Sequence, residues 1–193
     1  MALSTGSKRI KTAVFISGIG SNLKSLIKFS KLKISPISIE LIVSNNPKSK
    51  GLNFGKIHKI RKRIFDFKKQ TVTEKEILLY LNKKKINLIC LAGFMKILSK
   101  NFIQNFNGKI LNIHPSLLPK YKGLNTHERA ITNRDKYSGC TVHFVNSKLD
   151  SGEIINQKKV KINKSDTSNS LAKKILVQEH KLYPKAILKI FNL

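Results

Sequence analysis

A chain of 193 residues with 40% apolar side chains is long enough for one domain with a substantial core and too short for two full domains. The formal charge of +28 invites nucleic acid as a partner, but lysine supplies 33 of the 38 basic residues, arginine only five, tryptophan is absent and aromatics reach 7%. Surfaces that read or stack nucleic acid rely on arginine forks and aromatic faces, so the excess reads as lysine substituted across the surface, with no specific nucleic acid expected. Such a field would still draw in anionic small molecules. No run of 18 apolar residues occurs and Met1–Arg9 contains no hydrophobic segment, so neither a membrane span nor a secretion signal is expected and the chain is placed in the cytoplasm. Cys90 and Cys140 sit in apolar or β-branched surroundings with no paired spacing, which suggests buried thiols and neither a disulfide nor a metal site.

The predicted elements alternate. Thr12–Ser17 is a buried first strand that empties into Gly18-Ile19-Gly20-Ser21-Asn22, with Ser21 or Asn22 as cap for a helix carrying Leu23, Leu26 and Ile27. The amides at that helix start could hold a phosphate. No Gly-Lys-Ser/Thr follows and the third glycine of a dinucleotide fingerprint is missing, so a plain turn between strand and helix is equally compatible. A strand at Ile37–Ser44, a weak helix over Lys48–Ile57, and a short strand near Arg63–Phe67 come next. Thr73 as N-cap with Glu76 three residues on predicts a capping box for a helix over Thr73–Lys84. A strand over Leu88–Ala92 and a capped helix from Ser99 to about Asn105 follow.

Lys109–Ile113 reads as a further buried strand, which Pro115 and Pro119 stop. Residues two apart on a strand share a face, so Asn112 and His114 project together at its end: a carboxamide donor beside an imidazole. A short helix over Thr126–Thr132 precedes two alternating strands, Tyr137–Asn146 and Ile154–Ile162, joined by Lys148–Gly152. The last helix begins near Thr167, with Pro184 expected to kink or divide it. The expected fold is α/β: a mostly parallel twisted sheet with helices on both faces and antiparallel strands near the C-terminal end. Ligands are then expected at the carboxyl ends of the strands, where Gly18–Asn22, Gly93–Leu98 and Asn112–His114 all fall.

Five segments taken together go beyond generic pattern: Ser17–Leu23, Leu91–Leu98, Leu111–Pro119, Thr141–Val145 and Leu149–Gly152. In their order and spacing, and with Gln178-Glu179-His180 and Tyr183-Pro184 near the end, the chain resembles the phosphoribosylglycinamide formyltransferase family over nearly its whole length. The resemblance implies transfer of a formyl group from 10-formyltetrahydrofolate, as co-substrate, to the amine of glycinamide ribonucleotide in purine biosynthesis, without a metal. It implies Asn112, His114 and Asp150 as catalytic residues, and Gly20, Ser21, Asn22 and Glu179 toward the substrate's phosphate and ribose. For the folate it implies Met95, Lys96, Ile97 and Leu98 together with Asn146, Ser147, Lys148 and Leu149. His143 takes a supporting role. One domain over residues 1–193 is implied, its N-terminal half holding phosphate and its C-terminal half folate; monomer and homodimer both stay open.

The chain departs from the family's pattern in places. Lys122 and Asn125 stand where Pro and His are usual, so a less rigid loop is expected after the catalytic strand. An Arg often found near the folate tail has no counterpart around Phe67–Glu74. Two enzymes of related chemistry are the alternatives: methionyl-tRNA formyltransferase, expected to carry a further C-terminal domain, and formyltetrahydrofolate hydrolase, expected to carry an N-terminal regulatory one. A non-catalytic basic nucleic-acid-binding module is the alternative of another class.

Overall fold

The computed structural model describes residues 9–193; Met1–Lys8, most of the stretch read above for a secretion signal, lies outside them. Strands β1 (Ile10–Ile16), β2 (Ile37–Ser44), β3 (Arg61–Ile64), β4 (Leu88–Leu91), β5 (Lys109–His114), β6 (Tyr137–Phe144) and β7 (Ile154–Lys161) form one sheet in the order β3-β2-β1-β4-β5-β6-β7. Every pair from β3 to β5 is parallel, and β6 and β7 run antiparallel beyond β5. Helices α1 (Ser21–Ser30), α2 (Asn53–Ile57), α3 (Gln70–Lys83), α4 (Lys100–Asn105), α5 (Thr126–Thr132) and α6 (Ser168–Ile190) connect and cover the strands. The α/β architecture expected from the alternation is the one observed. Among the described residues no helix is long and apolar enough to cross a membrane.

The central strands are apolar on both faces because both faces are covered. Val14 and Ile16 point toward α1 and α6, where they join Leu23, Leu26, Ile27, Leu171 and Ile175 in one core. Ala13 and Phe15 point the other way, toward Ile77, Leu78 and Leu81 of α3 and Phe102 of α4. Burying each such aliphatic side chain is worth up to about 1.5–3 kcal/mol relative to exposure, so the two cores dominate the fold's stabilisation. Cys90 and Cys140 are free and buried, and burial pushes both thiols up to about 12, as expected of inert core thiols.

Expectations at the starts of α1 and α3 and at the end of β3 fail for identifiable reasons. The N-cap of α1 is Gly20, at a φ of +78° with no side-chain cap, so Ser21 and Asn22 lie in the first turn. A Cβ on Gly20 would also stand 2.9 Å from the Gly51 Cα, so close approach and left-handed backbone both demand glycine there. Helix α3 starts before Thr73, because Asp66 caps a 3-10 turn at Phe67–Lys69 that runs into it. The Thr73 hydroxyl donates to the Asp66 carbonyl at 2.5 Å and forms no capping box with Glu76. Phe65 and Phe67 turn into the core after β3 rather than extending it.

Pro184 neither breaks nor divides α6, which runs unbroken over 23 residues. Proline lacks the N–H that would bond the carbonyl four residues earlier, that of His180. The Ser25 hydroxyl of α1 donates to that carbonyl at 2.8 Å, so the missing internal bond becomes a bond between helices. One turn on, the Tyr183 hydroxyl lies 3.1 Å from the carbonyls of both Leu91 and Leu111, holding α6 against the two strands that lead into the site.

Candidate active site

Strand β1 lies between β2 and β4, so the chain's crossovers leave in opposite directions on its two sides and open a crevice at the carboxyl edge. The loops after β1, β4 and β5 all border it. Ser17, at the end of β1, donates its N–H to the Gly93 carbonyl at 3.1 Å, joining the first two of these loops.

Asn112 and His114 share a face of β5 at its carboxyl end, as the alternation requires, and Asp150 reaches them from the β6–β7 loop. Asp150 has a φ of +45°, a left-handed conformation that aspartate tolerates, and it and His114 are only 8% and 5% exposed. The His114 Nδ1 is 3.3 Å from Asp150 Oδ2, and Asn112 Nδ2 donates to Asp150 Oδ1 at 3.3 Å. His143, directly across from Asn112 in the antiparallel register, places its Nε2 3.2 Å from Asn112 Nδ2.

The partners fix most of the protons. His114 Nε2 faces the Tyr121 carbonyl at 2.8 Å and His143 Nδ1 faces the Phe144 carbonyl at 2.7 Å; a carbonyl only accepts, so both nitrogens carry hydrogen. A neutral His143 therefore offers its Nε2 lone pair to Asn112. With that lone pair on one side and a carboxylate on the other, the Asn112 amide must turn its NH2 toward both. Between His114 Nδ1 and Asp150 Oδ2 the contact is favourable only with a proton in it, so the two groups titrate as a pair. Burial draws the His114 imidazole below its ordinary value, against the Tyr121 carbonyl and the Asp150 charge, which favour its charged form. Burial also lifts the Asp150 carboxyl, but the neighbouring His143, the Gly123 N–H and the charge of His114 outweigh it and hold the group below its ordinary range. His143 Nε2 stands 3.6 Å from Asp150 Oδ1, too far for a hydrogen bond, and it favours the carboxylate only when the ring carries a second proton, since the neutral ring turns a lone pair toward it.

The loop after β5 is tied down at each step. Gly123 N–H donates to Asp150 Oδ2 at 2.9 Å, and Arg129 donates to the Lys122 carbonyl at 2.7 Å. Lys122 itself bonds Ser151 Oγ at 2.5 Å, so the residue expected to loosen the loop bridges it to the Asp150 segment. Asn125 begins α5 at a φ of +57° with no side-chain cap bond. Tyr121 and Gly123 act through backbone groups, which side-chain type does not reveal, and sequence reasoning missed both. His143 was legible as a supporting residue only through the resemblance.

At the first loop, Gly20, Ser21 and Asn22 begin α1, and Asn22 and Glu179 are buried together at 7% exposure each. Asn22 Nδ2 donates to Glu179 Oε2 at 2.7 Å across 157 residues of sequence. Burial raises the Glu179 carboxyl, with Asn22 partly opposing. The Asn22 Oδ1 is buried without a protein partner among the described residues. Of the other candidate residues, Met95, Ile97 and Leu149 present exposed apolar side chains, whereas Leu98 is buried in the α3–α4 core. Lys96, Asn146, Ser147 and Lys148 are exposed; Asn146 Oδ1 accepts from Lys148 N at 3.0 Å and its Nδ2 donates to the Ser151 carbonyl at 3.1 Å, shaping the turn before Asp150.

Residues 10–187 match the family described as formyl transferase. The phosphoribosylglycinamide formyltransferase of Haemophilus influenzae is 43% identical over 92% of this chain and 85% of its own length. The human trifunctional purine biosynthetic protein adenosine-3 is 41% identical over 93% of this chain, which spans only 18% of that protein. The solved structure of phosphoribosylglycinamide formyltransferase from Brucella melitensis superposes with a TM-score of 0.89 at 41% identity, covering 95% of this chain and 96% of that one. The corresponding structure from Anaplasma phagocytophilum gives 0.87 at 40% identity, over 93% and 85%. The family match over residues 10–187, together with these identities and superpositions, makes this chain a member of the formyl transferase family, beside the phosphoribosylglycinamide formyltransferases.

Proposed function

We propose that the chain transfers the formyl group of 10-formyltetrahydrofolate to the amine of N1-(5-phospho-D-ribosyl)glycinamide, with Asn112, His114 and Asp150 as the catalytic residues. The observation that carries this reading is the convergence of those three side chains within 3.3 Å contacts at the edge where the α1 N-terminus also opens. The folate supplies the formyl carbon. The exposed apolar side chains of Met95, Ile97 and Leu149 fit a flat ring system on either side of the catalytic cluster, and the turn around Asn146 offers polar groups to its edge.

In the reaction the acceptor's amine forms a bond to the formyl carbon while the bond from that carbon to the folate nitrogen breaks, and a proton passes from the amine to the folate nitrogen. Negative charge grows on the formyl oxygen. Asn112 answers it with an N–H whose present bonds, 3.2 and 3.3 Å long, are weak enough to be shared with a stronger acceptor. The His114–Asp150 pair holds or releases one proton at Nδ1, which lets it add positive charge beside that oxygen and take up the amine's proton. The amides of Ser21 and Asn22, after Gly20, suit the phosphate, and buried Glu179 suits the ribose hydroxyls. All of this falls within one domain over residues 1–193, phosphate mainly on the N-terminal half and folate mainly on the C-terminal half.

The test is an assay with both substrates and each omitted in turn. Consumption of 10-formyltetrahydrofolate that requires glycinamide ribonucleotide is the expected result. Equal turnover without the amine would point to a hydrolase and sink the reading.

A further inference from the structure

Glu74 is a carboxylate at 2% exposure that none of these steps uses. It lies on α3, yet two of its bonds reach the end of the loop between β4 and α4: Oε1 accepts from Ser99 N at 2.9 Å, and Oε2 accepts from the Ser99 hydroxyl. Ser99 Oγ in turn accepts from Phe102 N at 3.0 Å, capping α4. Gln70, one turn before Glu74, donates from Nε2 to Glu74 Oε1 at 2.8 Å and to the Ile97 carbonyl at 2.8 Å. Both partners are pure acceptors, so the Gln70 amide has one allowed orientation. At its other end the loop is held by Met95 N–H, which donates to Ser17 Oγ at 2.8 Å.

Between these anchors, the N–H and carbonyl of Lys96 and the N–H of Ile97 find no protein partner among the described residues. Unpaired backbone groups on a loop fixed at both ends form a preorganised polar edge, while Met95 and Ile97 leave their side chains exposed. The network is thus arranged so that α3 determines where that edge stands.

We propose that Gln70 and Glu74 are positioning residues for formyl-folate binding: by clamping Ile97 and Ser99 they hold the Met95–Leu98 backbone in the conformation that receives the folate's polar ring edge. This rests on the reading of that loop as part of the folate site.

Steady-state kinetics in both substrates tests it, with thermal melting alongside. Glu74→Ala should raise KM for 10-formyltetrahydrofolate at least tenfold, with kcat and KM for glycinamide ribonucleotide within threefold of wild type. Glu74→Gln should restore most of the loss, because its carbonyl can accept from Ser99 N while its amide donates to Ser99 Oγ. Gln70→Ala removes the Ile97 tether and the bond to Glu74 Oε1 but leaves Glu74 holding Ser99, and should raise the same KM about three- to tenfold; it carries the test if Glu74→Ala does not fold. An unchanged folate KM in Gln70→Ala and Glu74→Gln as well as in any folded Glu74→Ala, or a fall in kcat with KM constant, overturns the clamp. Wild-type protein inactive with both substrates would refute the proposed reaction instead. Calorimetric binding of 5-formyltetrahydrofolate to wild type and Gln70→Ala then decides the clamp separately, equal affinity or no binding to either overturning it.

Discussion

Replacing Asp150 by Asn keeps its size and removes its charge. In the structure its two oxygens serve Gly123 N–H at 2.9 Å, Asn112 Nδ2 at 3.3 Å and His114 Nδ1 at 3.3 Å, three partners that all need an acceptor or a shared proton. An amide has one accepting oxygen, so whichever partner it keeps, its NH2 confronts another donor. At 3.3 Å and an effective dielectric of about 20 the attraction between the carboxylate and an imidazolium is about 5 kcal/mol before desolvation. Desolvation opposes it, and breaking a buried pair from one side costs about 3–5 kcal/mol in measured cases. If most of that falls on the transition state, where His114 carries its proton, kcat drops about 10²- to 10³-fold. The assay is kcat in the two-substrate reaction across pH 5–9, with circular dichroism to confirm folding. The limb of the wild-type profile that belongs to the His114–Asp150 pair should also move or vanish. A folded Asp150→Asn protein with kcat within threefold of wild type and an unchanged profile would refute the reasoning.

His143→Ala removes the acceptor that orients the Asn112 amide; one hydrogen bond of about 1–1.5 kcal/mol predicts kcat about tenfold lower with both KM values little changed, and an unaltered kcat would count against that role. Glu179→Gln keeps an acceptor for Asn22 but removes a carboxyl whose value is raised by burial, a group whose contribution to stability is lost as pH rises through its folded value. The variant's melting temperature should therefore gain more at pH 8 than at pH 5, while KM for the ribonucleotide rises; a pH-independent shift would contradict it. The imidazoles of His114, His127 and His180 are all lowered, by burial first. The unfolded chain then takes up protons first as pH falls through about 6.5, so the urea midpoint should fall between pH 7.5 and 5, and a flat midpoint would exclude net uptake on unfolding.

The sheet was legible because apolar runs punctuated by glycine and proline report buried parallel strands directly, and β2 and α5 fall where the pattern puts them. Helix starts were less so. Asp66 caps a turn that merges into α3, and Gly20 caps α1 through its backbone, neither visible as a side-chain box. Asn112 and His114 could be paired from alternation alone, but Asp150 comes from a distant loop and Glu179 reads as a surface charge until α6 is packed against α1. The bonds from Tyr121 and Gly123 depend on backbone direction, which residue identity does not encode.

The hydroxyl of Ser25 on the His180 carbonyl, beside the Asn22–Glu179 pair, has a consequence for the order in which the molecule can be completed on the ribosome. The two bonds join partners 155 and 157 residues apart, so α1 waits for about 150 further residues to be made before its inner face is closed. Until α6 arrives, Leu23, Leu26 and Ile27 have the sheet on one side but lack the part of their core that Leu171 and Ile175 supply. The proposed phosphate cradle, though its backbone is set by Gly20–Asn22, thus acquires its final form only once Glu179 and α6 have been made.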